Sequence, residues 1–214
     1  MTNFIPIFPL GIVVFPGEAL NLHIFEPRYK QLINDCYVSK KPFGIPAVIN
    51  GKISEMGTVV TVLEISKLYD DGKMDIKTQG VNLFKILEII TDLPEKMYSG
   101  AIVNYPKNIV TGGKQELMQI ILHGLREIYS RLNINRDFII SDAQLISYDV
   151  AHHAGMSIED EYLLLELLHE LHRQEFLKRH LAKVLPVMAQ MDLLKGKIKL
   201  NGHFKNLEGF HFKP

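Results

Sequence analysis

Three prolines and two glycines fall within the first 17 residues, a stretch with no charged side chain. Proline fixes φ and removes an amide donor, so Pro6, Pro9 and Pro16 exclude a helix there and leave short extended runs. One strand is expected near Gly11–Phe15 and a second over Ala19–Phe25. Pro16-Gly17 between them is a turn pair, because proline presets one φ and glycine accepts a positive one. In the second strand Leu20, Leu22 and Ile24 share one face, and Asn21, His23 and Phe25 share the other. Pro27 suits the first position of a helix. Tyr29, Leu32, Ile33, Cys36 and Tyr37 then recur at helical spacing, the apolar stripe of a helix to Tyr37. The opening is apolar enough to mimic a signal peptide. It lacks a basic leading region, however, and is broken by prolines and glycines.

The following residues continue the β pattern. Phe43–Ile49 reads as a strand, with Pro46 marking an edge or a bulge. Asn50-Gly51 is a turn pair. Thr58–Ile65 is rich in Val and Thr. Asp70-Asp71-Gly72 is a hairpin signal. Met74, Ile76 and Thr78 alternate with polar residues, Gly80 interrupts, Phe84–Thr91 resumes period two, and Ser99–Tyr105 closes the region before Pro106. Beyond residue 110 the pattern becomes helical. Lys114–Leu132 carries an amphipathic stripe. Ser141-Asp-Ala-Gln144 has the form of a capping box, with a helix expected after it and a stop at Gly155. Ser157 opens a leucine-dense helix expected to reach Leu185, where Pro186 forces a kink or break. Val187–Leu200 is expected as the last helix. Phe204, Phe210 and Phe212 in the tail are expected to dock back.

The 24 Lys and Arg balance the 24 Asp and Glu, and the balance holds on both sides of residue 110. No global basic field is available for nucleic acid or an anionic membrane. No run approaches the ~20 apolar residues of a spanning helix. The single cysteine, Cys36, excludes an internal disulfide and lies on an apolar stripe, where it reads as a buried hydrophobe in a cytoplasmic protein. His169-Glu170-Leu171-His172 is the loudest local pattern. A helical zinc protease needs histidines four apart around the glutamate, and here Arg173 holds that place, so the residues read as a polar strip with no metal. His152 and His153, adjacent in sequence, point in different directions, with one expected in solvent. No phosphate loop and no G-x-S-x-G elbow occurs, and no nucleophile, base and acid group stands out. No catalytic residue, cofactor or metal is therefore expected.

Pro6-Ile-Phe-Pro-Leu10, Val13-Val-Phe-Pro-Gly17 and Leu20-x-Leu-x-Ile-Phe-Glu-Pro-Arg-Tyr29 together closely resemble the opening of the Lon protease N-terminal domain. Glu55-Met-Gly-Thr58 resembles that family's E-x-G-T strand. Asp71-Gly72, Gly80 and Phe84-Lys-Ile86 resemble its D-G turn and G-x-x-R-F segment, with Leu83 where an arginine is usual. The likeness is strong to about residue 90 and loose afterwards. It implies an α+β fold: an N-terminal β-rich PUA-like pseudo-barrel with one capping helix, over 1–107, followed by a C-terminal helical bundle over 108–214. In full-length Lon this domain precedes ATPase and peptidase modules, for which 214 residues leave no room. The implied function is non-catalytic binding of unfolded or partner protein segments. The alternatives are an RNA-binding module of PUA-like type, against which the charge balance argues, and an unrecognised small-molecule site. The candidate binding residues are Phe25, Glu26, Arg28 and Tyr29. The bland reading of Glu26 and Arg28 is local pairing at a helix start. Core packing is the expectation for Phe25; an exposed Phe25 beside the helix start would instead form an apolar patch.

Overall fold

The computed structural model describes residues 3–135 and 138–204. The tail aromatics Phe210 and Phe212 lie outside them, and Phe204 is described only as the backbone end of the last helix. The chain runs β1 (Asn3–Pro6), β2 (Ala19–Ile24), α1 (Pro27–Ser39), β3 (Phe43–Ile49), β4 (Lys52–Leu68), β5 (Met74–Ile90) and β6 (Gly100–Asn104). It continues with α2 (Gln115–Leu132), α3 (Ser147–Val150), a 3-10 turn (Ala151–His153), α4 (Ile158–Glu166) and α5 (Glu170–Phe204). A β-sheet core thus comes first and helices follow, as the change of periodicity near residue 110 implies.

The sheet order is β1-β6-β5-β4-β3, with β2 paired to β5. All strand pairs are antiparallel. Ile7 and Leu10 then bridge in parallel to Gly44 and Ala47 of β3, with Phe8 N–H donating to the Gly44 carbonyl at 2.8 Å. The segment after β1 therefore covers the far edge of β3, and the path of strands returns to its start. Pro46 sits where the β3–β4 register shifts, the expected bulge.

Three expectations for this half are corrected. Gly11–Phe15 forms no strand. Its side chains do alternate, with Val13 and Phe15 in one apolar cluster and Val14 in another. Two of its polar groups, however, find side-chain partners in place of a ladder. Phe15 N–H donates to the Glu18 carboxylate at 2.9 Å, and the Thr58 hydroxyl donates to the Val14 carbonyl. Second, β4 extends well beyond Thr58–Ile65 at both ends. Third, β5 continues through Gly80, whose missing Cβ admits the Phe15 carbonyl, with a shift of the β4–β5 register between Gly80 and Asn82. Three register shifts between β4 and β5 coil this long ribbon, as bulges do. Helix α1 buries Tyr29, Leu32, Ile33 and Cys36 as its stripe predicts.

In the helical half α2 matches its expected span. Ser141–Gln144 does not open a helix: the Gln144 amide bonds back to the Ser141 carbonyl as a turn, and helix begins only at Ser147. Gly155 takes a positive φ of 66° at the stop, and Ser157 caps α4 by accepting from the Asp160 amide at 3.2 Å. The helix expected to reach Leu185 breaks at Leu167–His169, because that stretch pairs with Ile109. Conversely, α5 runs unbroken through Pro186. Pro186 is exposed and costs a helical hydrogen bond, but α2 holds α5 on both sides of it. Leu181 and Leu185 pack on Gly124, and Arg131 pairs with Asp192 at 3.1 Å. The largest apolar cluster joins the two halves. Val13, Phe15, Ala47, Met56 and Leu83 from the β-rich part meet residues of α2, α3, α4 and α5.

Candidate functional site

Phe25 is 58% exposed, which overturns the expectation of core packing. The inward face of β2 belongs to Leu20, Leu22 and Ile24, and the imidazole of His23 stands beside the Phe25 ring, at 6.2 Å between centroids. Glu26 and Arg28 pair with each other at 2.8 Å, the local arrangement the sequence implies. The Arg28 guanidinium also lies 4.5 Å from the centre of the Tyr29 ring. Tyr29 is buried and stacks on Phe8 at 3.9 Å. Burial pushes its hydroxyl pKa up, against the pull of the Arg28 charge.

Arg28 and Tyr29 line a recess of about 150 Å³ floored by Ile7 and Pro9. Ile53, Ile89 and Met97 stand at its edge with much of their surface in water. Phe25 and Glu26 adjoin it through the chain but are not part of its lining. The three rim residues were not identified from sequence. For Ile53 and Ile89 the only signal is an apolar residue on the outward face of an alternating strand. Met97 sits in a loop with no signal at all.

A larger cleft of about 480 Å³ opens where the Pro16–Glu18 turn meets the helical half. Phe138, Ile139, Ile140 and Leu145 give it apolar walls, and Tyr148, Asp149, His152 and His153 complete it. As expected for adjacent residues, one of the two, His152, is exposed and the other, His153, is partly buried. His153 meets the edges of Tyr129 and Phe138. His152 is held by Glu161 at 2.8 Å through Nδ1 and by Glu18 at 3.2 Å through Nε2. Burial works against its charge, but the bonds from Glu161 and then Glu18 outweigh it and lift the imidazole to about 10. A raised folded-state pKa gives a stabilisation that is complete below the unfolded value near 6.5 and is lost as pH rises through 10. His152→Gln should therefore be less stable than wild type by about 1 kcal/mol near pH 6, a modest value because the pair is partly solvated. That gap should shrink towards pH 10; a constant gap in melting temperature across this range would refute the clamp.

Elsewhere the sequence candidates for chemistry resolve into structure. Cys36 is buried, and burial together with the Asp35 charge pushes its thiol up to about 12. The His169 and His172 rings lie 5.3 Å apart, and no group of three His, Cys, Asp or Glu among the described residues could hold a metal. The polar-strip reading is wrong for two members of that segment. Glu170 and Arg173 are fully buried, joined at 2.9 Å. No helix among the described residues is long and apolar enough to cross a membrane.

A family model described as the ATP-dependent protease La (LON) substrate-binding domain matches residues 5–183. Among solved structures, the Lon N-terminal domain protein from Xanthomonas campestris superposes with a TM-score of 0.61 at 20% identity, covering 81% of this chain and 95% of that one. The N-terminal domain of the Mycobacterium avium complex Lon protease gives 0.59 at 11% identity, covering 84% and 98%. At those identities the likeness speaks for the fold alone. The match of the family model over most of the chain settles membership: this protein belongs to the LON substrate-binding domain family.

Proposed function

We propose that this protein is a non-catalytic, cytoplasmic binder of unfolded or partner protein segments, acting through the surface around Phe25, Glu26, Arg28 and Tyr29. The carrying observation is the exposure of Phe25, Ile53, Ile89 and Met97 beside a recess that also presents a cation. Apolar surface rimmed by polar groups is what binds apolar segments of another chain. The family's name as a substrate-binding domain supports the reading. We further propose the finer architecture: a PUA-like pseudo-barrel over 1–107 and a helical bundle over 108–214, coupled through their shared apolar cluster.

Phe25→Ala separates binding from packing. Because the ring is mostly in water, stability should change by no more than about 0.5 kcal/mol. Affinity for a permanently unfolded, reduced and alkylated protein should fall about 5- to 20-fold, the scale of losing one apolar contact. Unchanged affinity would remove Phe25 from the surface. Purified protein should hydrolyse neither ATP nor casein; turnover that follows the protein through repurification would refute the non-enzymatic reading.

A further inference from the structure

The junction cleft differs in charge from the Arg28 recess. His152 contributes one positive charge and is shared by two carboxylates, Glu18 and Glu161. Asp149 adds a third carboxylate. Its Oδ2 accepts the Ile146 amide at 2.8 Å, and it has no cationic partner among the described residues. Burial, opposed by that amide bond and aided by Glu170, raises its proton affinity. Arg126 of α2 is engaged in a two-pronged pair with Asp142 of the Ser141–Gln144 turn at 3.0 and 2.8 Å. A carboxylate without a counter-charge beside apolar walls favours an arriving cation, since an opposite charge stabilises the ionised form. The walls favour an apolar side chain, and a cleft of about 480 Å³ falls in the range of small-ligand and side-chain pockets. Ile139 is fully exposed at its rim, which extends the contact surface beyond a single buried group.

We propose that this cleft is a second binding site, specific for a protein segment that carries a large apolar residue next to lysine or arginine. The apolar residue enters between Ile140 and Leu145, and the cation lies against Asp149. The inference rests on the protein-segment reading above but names a different surface and a charge preference. It also gives the two halves a shared role, because Glu18 belongs to the β-rich part and Asp149 to the helical part.

The test uses the full chain and three fluorescent peptides with the same central leucine, flanked by lysine, alanine or glutamate. Anisotropy at about 0.1 M salt should rank them lysine, alanine, glutamate, with at least tenfold between the ends, and the spread should narrow at high salt. Asp149→Asn should reduce the lysine-over-alanine preference at least threefold and leave the alanine peptide unchanged. Phe25→Ala, which lies on the other surface, should leave the lysine-over-alanine ratio unchanged whatever it does to the common affinity. In wild-type protein, methyl resonances of Ile139, Ile140 and Leu145 should shift on adding the lysine peptide, a readout independent of any variant's folding. Equal binding of the three peptides, a preference indifferent to Asp149→Asn, or methyl shifts confined to Ile53 and Ile89 would overturn the site. If unfolded protein still binds in that case, only this inference fails. If it does not, the functional reading fails as well.

Discussion

Arg173→Ala is expected to destabilise the fold by about 3–5 kcal/mol, the cost of leaving a buried partner charge uncompensated. The guanidinium is fully buried and spends every N–H it has. Nε donates to the Ser147 hydroxyl at 2.9 Å. One terminal nitrogen donates to Asn108 Oδ1 at 3.0 Å and the Leu167 carbonyl at 2.6 Å. The other donates to the Ile109 carbonyl at 3.0 Å and to Glu170 at 2.9 Å. The plane also lies over the Tyr148 ring at 4.2 Å. Glu170 is held in turn by the Ser147 amide and hydroxyl at 2.8 and 2.7 Å. One side chain thus ties the strand-to-helix linker, the start of α3, the end of α4 and the start of α5. Arg173→Lys should recover little, since an ammonium cannot reproduce five donors in a fork. Replacing the pair together, as Glu170→Gln with Arg173→Met, should cost less than Arg173→Ala alone, because no lone charge remains. Urea unfolding measures all three. A loss below 1 kcal/mol for Arg173→Ala would show that the network is not closed.

Phe84→Ala should cost a similar amount, about 3–5 kcal/mol. The ring is fully buried with Ile5, Ile7, Val59, Ala101 and Val103. It fits there because Gly44 and Gly57 have no side chain: a Cβ on either would stand 2.7 Å from its Cζ. Gly57→Ala would also press on the Ile45 carbonyl at 2.5 Å, which belongs to backbone and cannot swing away. We expect about 2–3 kcal/mol from that overpacking. Phe84→Leu in the Gly57→Ala background should relieve the ring contact and not the carbonyl contact, so rescue should be partial. Full rescue, measured by thermal melting, would place the whole strain on the ring. The E-x-G-T and G-x-x-R-F likenesses therefore correspond to one packing device across β3, β4 and β5.

Legibility followed the range of the interactions. The stripe of Tyr29, Leu32, Ile33 and Cys36 is local, and its helix was readable to within two residues at its C-terminal end. The cap at Ser157 and the stop at Gly155 are also local, and both hold. Arg173 was opaque because three of its partners, Ser147, Ile109 and Asn108, lie 26 to 65 residues away, and nothing in His169-Glu-Leu-His-Arg173 marks which face turns inward. Pro186 misled because a proline's local cost was outweighed by packing on α2 that sequence spacing does not display. Gly11–Phe15 alternates like a strand yet has no ladder, since pairing depends on what lies beside it. At the candidate surface, alternation correctly set Phe25 opposite Leu20, Leu22 and Ile24. It could not say that no further layer covers that face. Ile53, Ile89 and Met97 come together only through the sheet and its loops.

The central claim is selective binding of unfolded protein without catalysis. Its most direct test is equilibrium binding of one labelled protein in two forms, native and permanently unfolded by reduction and alkylation, followed by recovery of the bound chain. The account predicts saturable binding of the unfolded form at least tenfold tighter than of the native form. It also predicts that the bound chain is recovered intact without ATP and with it. Equal affinity for both forms, or a recovered chain that has been cut, would contradict it.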